Sequence, residues 1–120
     1  MAKMSEEVVK AIGDYKPALV ATADKNCMPN VSLKGSLRLL DDERLAFVNL
    51  RSPRTVKNLQ ENPFISATAF DPATRKGWRV WGKAEIVTSG ELFEKFKKEY
   101  AERGTINHVI IINVDEALAF

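Results

Sequence analysis

The chain has 120 residues, of which 45% are hydrophobic and 28% charged, and its net charge is +2 at pH 7. These values are typical of one globular domain, which we expect to span residues 1–120. So small a charge does not indicate nucleic-acid binding, and no apolar run is long enough for a membrane span. Because the N-terminus lacks the apolar segment of a secretory signal and Cys27 has no second cysteine to pair with, the sequence predicts a cytoplasmic protein.

The first half of the chain predicts one helix and three strands. Apolar residues recur at helical spacing from Met4 to Ile12, behind the capping residue Ser5. Gly35 interrupts the second strand and suggests a bulge or a close backbone approach there. The three predicted strands are Ala18–Ala23, Val31–Leu40 and Leu45–Leu50.

The second half predicts two more helices and three more strands. Ser52-Pro53 places serine at a cap position and proline at the first helical position, and Asn62-Pro63 ends that helix. A further helix begins at Glu91 and is ended by Gly104. The remaining predicted strands are Phe64–Phe70, Trp78–Thr88 and Val109–Val114.

The order of these elements predicts the fold class. Strands and helices do not alternate strictly, so a doubly wound parallel sheet is not expected. We predict a mainly β protein with some α structure: a six-stranded antiparallel barrel with two to three flanking helices.

The junction between the third strand and the second helix has the ingredients of a phosphate site. A helix N-terminus offers free N–H groups and partial positive charge, and Arg51 and Arg54 can clamp phosphate oxygens. The hydroxyls of Ser52 and Thr55 add donors, and no acidic residue lies between Asn49 and Gln60. Alternatively, Ser52-Pro53 is only a helix cap and the arginines are solvated; the clustering favours the phosphate site.

The other candidate residues give weaker evidence of a functional site. The single histidine, His108, has no Asp, Glu or Cys cluster at metal-ligand spacing, so we predict no metal site. Trp78 and Trp81 fall on opposite faces of one strand. Lys34 either extends to solvent or reaches toward an anionic ligand edge.

Two segments, Arg54-Thr55-Val56-Lys57-Asn58-Leu59 and Gly82-Lys83-Ala84-Glu85, carry a family resemblance through their order and spacing. The sequence resembles the pyridoxamine 5′-phosphate oxidase-like FMN-binding split barrels, in their short form, over nearly its whole length. The resemblance implies a split barrel that forms a homodimer with FMN at the interface. It also implies a flavoprotein oxidoreductase, of the flavin reductase or electron-transfer type, that exchanges electrons with a small molecule. It identifies no catalytic residue.

The resemblance also assigns cofactor-binding roles to particular residues. Arg54 and Thr55 would hold the FMN phosphate, with help from Arg51 and Ser52. The flavin ring would be bordered by Val31, Ser32 and Leu33, and the path to it would be lined by Asn49 and Leu50. Lys34 would lie near the polar edge of the ring. Trp81 either stacks on the ligand or fills the dimer interface.

Two alternatives remain at this point. The chain shows no counterpart of the C-terminal basic and aromatic segment of full-length oxidases, so vitamin B6 oxidation is not expected. The first alternative is a split barrel that binds another redox ligand, either haem or the deazaflavin F420. Haem is disfavoured because the single histidine, His108, begins a strand expected to be central. The anionic tail of F420 would need basic residues such as Lys34, Arg38, Arg51 and Arg79. The second alternative is a non-catalytic module that binds a phosphate ligand.

Overall fold

The computed structural model describes residues 2–120. Three α-helices lie in this part of the chain: α1 (Glu6–Asp14), α2 (Pro53–Glu61) and α3 (Glu91–Glu99), the last followed by a 3-10 turn at Ala101–Arg103. The strands are β1 (Ala18–Ala23), β2 (Pro29–Lys34), β3 (Arg38–Leu39), β4 (Arg44–Asn49), β5 (Phe64–Phe70), β6 (Gly77–Val87) and β7 (His108–Ala119). None of these helices has both the length and the apolar character needed to cross a membrane.

The strands form one antiparallel sheet in the order β2-β1-β5-β6-β7-β4-β3. The two edge strands, β2 and β3, are consecutive in the chain and joined by residues 35–37. Four residue steps span at most about 14 Å, so the two edges of the sheet lie close together. The sheet is therefore a curled, half-barrel surface, consistent with a split barrel, and the prediction of a mainly β protein with flanking helices is confirmed.

The predicted count of six strands is wrong by one, because Val31–Leu40 is two strands and not one. A Cβ atom at Gly35 would meet nothing within 4 Å, so this glycine marks no close backbone approach. The chain turns at Gly35 instead and leaves β1, so that Arg38 pairs with Ala46 of β4. The last strand is also longer than predicted and continues from Val114 to Ala119.

The core occupies both sides of β4. On one side Leu45 and Phe47 pack in the main cluster with Trp78 and the apolar face of α1. On the other side Ala46 and Val48 pack against α3. Burial on both faces explains why β4 reads as a continuous apolar run, and it makes this strand a rigid support for whatever follows it.

One glycine is required by the sheet itself. β6 and β7 change register between Trp81, which faces Glu116, and Gly82, which faces Val114, so one residue of β7 is left over in a bulge. A Cβ atom at Gly82 would lie 2.2 Å from the backbone oxygen of Asn113. The close approach of β7 therefore accounts for glycine at the start of the segment Gly82-Lys83-Ala84-Glu85.

Candidate functional site

The predicted phosphate segment lies where β4 ends and α2 begins. β4 is packed on both faces up to Asn49, and Pro53 is the first residue of α2. Between them, Leu50 and Arg51 form a bend. The segment is thus held at both ends by packed elements, as a precise binding site requires.

Lys34, the last residue of β2, reaches this junction from the edge of the sheet. Its side chain is only 6% exposed, so extension into solvent is ruled out. Its Nζ donates hydrogen bonds to Oδ1 of Asn49 at 3.0 Å and to Oγ of Ser52 at 2.7 Å. Burial holds the pKa of the Lys34 ammonium below its usual value. Within residues 2–120 no carboxylate pairs with it.

Asn49 links this ammonium to the backbone of the junction. Its Nδ2 donates to the carbonyl oxygen of Ser52 at 3.0 Å, while its Oδ1 accepts from Lys34. The amide cannot be reversed, because an ammonium only donates and a carbonyl only accepts. Both the main chain and the side chain of Ser52 are therefore held from outside α2.

Ser52 occupies the N-cap position of α2, as predicted, but its hydroxyl does not cap the helix. The hydroxyl oxygen instead lies 2.7 Å from Nζ of Lys34 and 2.9 Å from Oγ of Ser32. The N–H of Thr55 donates to the carbonyl oxygen of Ser52 at 3.1 Å. The N–H groups of Ser52 and Arg54 take part in none of the hydrogen bonds found among residues 2–120.

Thr55 presents an unusual hydroxyl in the first turn of α2. The residue is 0% exposed, and its Oγ1 has no hydrogen-bond partner within the described chain. Leaving a buried hydroxyl unpaired costs about 1–3 kcal/mol, so native structures generally give it a partner. Of the two hydroxyls predicted to serve a phosphate, this one is unengaged and that of Ser52 is already bonded.

The two arginines of the segment are exposed, and neither belongs to an ion pair formed between residues 2–120. Arg51 also lines a cavity of about 200 Å³ together with Lys34, Ser52, Tyr100 and Arg103. Tyr100 and Arg103 were not predicted from the sequence to lie at this site. The sequence feature that could have located them is the apolar face of α3. This face packs on β4 and therefore places the residues that follow the helix at the same end of the sheet.

A second cavity, of about 280 Å³, also borders Ser52 and is lined by Asn49, Leu50, Lys57, Gln60, Asn107 and His108. His108 is half-buried and faces Asn49 across the β4–β7 ladder. In the part of the chain that the structure describes, no group of three or more His, Cys, Asp or Glu residues is placed to hold a metal ion.

The predicted ring-binding residues of β2 alternate between two environments. Val31 and Leu33 point outward and are each 63% exposed. Ser32 points the other way and meets the hydroxyl of Ser52. β2 is an edge strand, so the backbone groups on its outer side are free to bind a ligand.

Trp81 does not join this cluster within one protomer. The prediction of opposite faces is confirmed, since Trp78 is buried in the core and Trp81 is half-exposed on the outer face of β6. Trp81 lines a separate cavity of about 350 Å³ with Pro29, Phe64 and Ser66. A role for Trp81 at the same ligand would therefore require a second copy of the chain.

The sequence and the fold both resemble those of known proteins. The family model of pyridoxamine 5′-phosphate oxidase matches residues 4–117. The uncharacterized protein MJ0282 of Methanocaldococcus jannaschii is 29% identical over 93 residues, which are 76% of this chain and 61% of that protein. The chain thus matches somewhat less than two thirds of that relative's length.

Several solved structures share this fold over 95% or more of the chain. HupZ of Group A Streptococcus is 31% identical, with a TM-score of 0.87 over 98% of this chain and 94% of that one. An FMN-binding protein of Syntrophomonas wolfei is 17% identical, with a TM-score of 0.84 over 95% of this chain and 84% of that one. An F420 reductase and HutZ, the haem storage protein of Vibrio cholerae, share the fold at 19% and 20% identity, with TM-scores of 0.69 and 0.71. The family match, which extends over nearly all of the sequence, shows that the chain belongs to the pyridoxamine 5′-phosphate oxidase family.

Proposed function

We propose that this protein is an FMN-binding flavoprotein and an oxidoreductase of the flavin reductase or electron-transfer type. The observation that carries the proposal is the open start of α2, whose N-cap hydroxyl is turned away and which lies beside two arginines that form no ion pair within residues 2–120. Unsatisfied N–H groups, the positive end of a helix and guanidinium groups are together what a phosphate dianion binds best.

The residues present fit a phosphate group in three respects. Among the described residues, the N–H of Arg54 has no acceptor and the buried hydroxyl of Thr55 has no partner. The guanidiniums of Arg51 and Arg54 supply the charge. In this arrangement Arg54 and Thr55 bind the phosphate, Arg51 adds a second clamp, and Ser52 shapes the turn.

The flavin ring would lie along β2. The exposed side chains of Val31 and Leu33 offer apolar surface for a flat ring, and the free edge of the strand offers backbone donors and acceptors. Asn49 and Leu50 would line the path from the ring to the phosphate. Bound FMN supplies the one- and two-electron chemistry, and the buried charge of Lys34 at the end of β2 would stabilise an anionic reduced ring.

We propose that the ligand is shared by two copies of the chain. The outer face of the sheet exposes several apolar side chains: Leu19, Val31, Leu33, Trp81 and Leu118. Apolar surface of this kind on a soluble protein marks an interface. A second copy on this face would cover Val31 and Leu33 and would bring its own Trp81 to the ligand or to the interface core.

F420 has weaker support from the basic residues. Arg38 is already bonded to the carboxylate of Glu99 and to the hydroxyl of Tyr100, and it stacks on Phe96. Arg79 lies on the outer face of β6, 5.8 Å from the ring of Trp81. Only Lys34 and Arg51 of the four candidates share a cavity.

Titration of the purified protein with FMN, riboflavin, F420 and haem, followed by absorption and fluorescence, tests the proposal. We expect FMN to bind more tightly than riboflavin and to elute with a dimer in gel filtration coupled to light scattering. Oxidation of reduced nicotinamide by the FMN complex would distinguish an enzyme from a non-catalytic phosphate-binding module. Absence of FMN binding, or equal affinity for FMN and riboflavin, would overturn the assignment of the phosphate site.

A further inference from the structure

We infer that Lys34 is a positioning residue that keeps the start of α2 open to an anion by holding the hydroxyl of Ser52 away from the helix. The inference rests on the proposed phosphate site and explains how the chain leaves that site free. No atom of Lys34 needs to touch the ligand for this role.

A serine at the N-cap normally accepts a hydrogen bond from the N–H of the second or third helical residue. In α2 these residues are Arg54 and Thr55. The same residue type does cap α1, where Oγ of Ser5 accepts from the N–H of Val8 at 3.3 Å. Ser52 is therefore diverted from a bond that its position favours.

The ammonium of Lys34 binds this hydroxyl more strongly than a backbone N–H of α2 would. Its bond to Oγ of Ser52 is charge-assisted and 2.7 Å long, and bonds of this kind are about twice as strong as neutral ones. A buried ammonium that lost this acceptor would be left with an unsatisfied donor, which is costly in the interior. Asn49 completes the restraint, since it accepts from the same ammonium and holds the carbonyl of Ser52.

The first test needs no flavin. Amide hydrogen exchange in the ligand-free protein measures whether the start of each helix is capped. We expect Ser5→Ala to speed exchange of the Val8 N–H about tenfold and Ser52→Ala to leave exchange at Arg54 and Thr55 unchanged, because only the hydroxyl of Ser5 caps its helix. In Lys34→Met only the neutral hydroxyl of Ser32 still holds that of Ser52. The hydroxyl of Ser52 should then cap α2 and slow exchange at Arg54 about tenfold, whereas Lys83→Met, which changes an exposed lysine on β6, should change nothing. Faster exchange at Arg54 or Thr55 in Ser52→Ala would overturn the inference even if Lys34→Met did not fold.

The second test is a double-mutant cycle in ligand affinity. We expect Lys34→Met to lower the ratio of FMN affinity to riboflavin affinity about tenfold, because only the phosphate meets the helix start and any contribution of Lys34 to ring binding cancels in this ratio. In a Ser52→Ala background, where no hydroxyl can close the helix, Lys34→Met should have no further effect on the ratio of the two affinities. An equal loss in both backgrounds would show that Lys34 acts on the ligand directly. If the wild type bound neither flavin, the proposed function would fail, while the exchange measurement would still decide the role of Lys34.

Discussion

The two helices α1 and α2 begin with the same local signal and end up in different states. Each has nine residues and a serine at its N-cap. In α1 the hydroxyl of Ser5 caps the helix, and Glu6 and Glu7 place negative charge in the first turn. In α2 the hydroxyl of Ser52 is bonded to Lys34, and the first turn contains Arg54 and no acidic residue.

The N-terminus of α1 is therefore stabilised by its own residues, whereas the N-terminus of α2 is left open for a ligand. Negative charge stabilises the N-terminus of a helix, whereas the positive charge of Arg54 opposes the helix dipole. Local rules broken together at one point of an otherwise consistent chain are typical of functional sites. The open cap, the arginines and the unpaired hydroxyl of Thr55 all disfavour the free state of α2 and favour an anion there.

The largest expected difference between the two helices comes from placing a carboxylate at each N-cap. Ser52→Asp should abolish detectable FMN binding, because two like charges about 5 Å apart repel each other by roughly 3 kcal/mol at an effective dielectric constant of about 20. Its stability should not fall, since the carboxylate pairs with Lys34 or caps α2. Ser5→Asp is the matched control and should bind FMN normally. Fluorescence titration and urea unfolding measure both properties, and retained FMN binding in Ser52→Asp would place the phosphate elsewhere.

Removal of the cation at the start of α2 should have the next largest effect. Arg54→Ala should weaken FMN affinity by about 1.5–3 kcal/mol, the range for hydrogen bonds to charged groups, and leave the fold intact. Lys10→Ala removes an exposed cation from α1 and should leave the affinity unchanged. Isothermal titration of both variants with FMN decides the matter. An unaltered affinity in Arg54→Ala would contradict the assignment.

Loss of the cap that does form should affect stability alone. Ser5→Ala removes the bond to the N–H of Val8 and should lower the free energy of unfolding by about 1 kcal/mol. FMN affinity should not change. Chemical denaturation and flavin titration of this variant show whether capping and ligand binding are separated between the two helices; a loss of FMN affinity in Ser5→Ala would show that they are not.

Sequence patterns predicted most of the fold because each element has a strong local signal. The apolar periodicity of α1, the Ser52-Pro53 start of α2 and the continuous apolar run of β4 all correspond to elements of the structure. The end of β2 at Lys34 was not predicted, because the interruption at Gly35 is compatible with a bulge, a close approach or a turn. Only the pairing of Arg38 with β4, a long-range choice, distinguishes these possibilities.

The candidate site was predictable as a segment but not as an arrangement. Residues 51–55 are adjacent in sequence, so their shared chemistry is visible without coordinates. The contact of Lys34 with Ser52 spans 18 residues and depends on where the edge strand lies, which local pattern does not determine. Tyr100 and Arg103 reach the same cavity for a similar reason, through the packing of α3 on β4.

The smallest expected effect is a difference between the two helix starts in how stability depends on pH. The pKa of Lys34 in the folded protein lies below the usual value of 10.5 because the ammonium is buried. Between the lowered pKa and 10.5 the unfolded chain binds the proton and the folded chain holds less of it, so the stability contributed by Lys34 rises with pH across that window. Urea unfolding of the wild type and Lys34→Met at several pH values should show the wild type gaining stability relative to the variant as pH rises toward 10.5. The same comparison of the wild type with Ser5→Ala should give a constant difference, since no buried cation holds the cap of α1. A wild-type advantage over Lys34→Met that stayed constant or fell with rising pH would mean that the ammonium of Lys34 is not held at a cost in the folded protein.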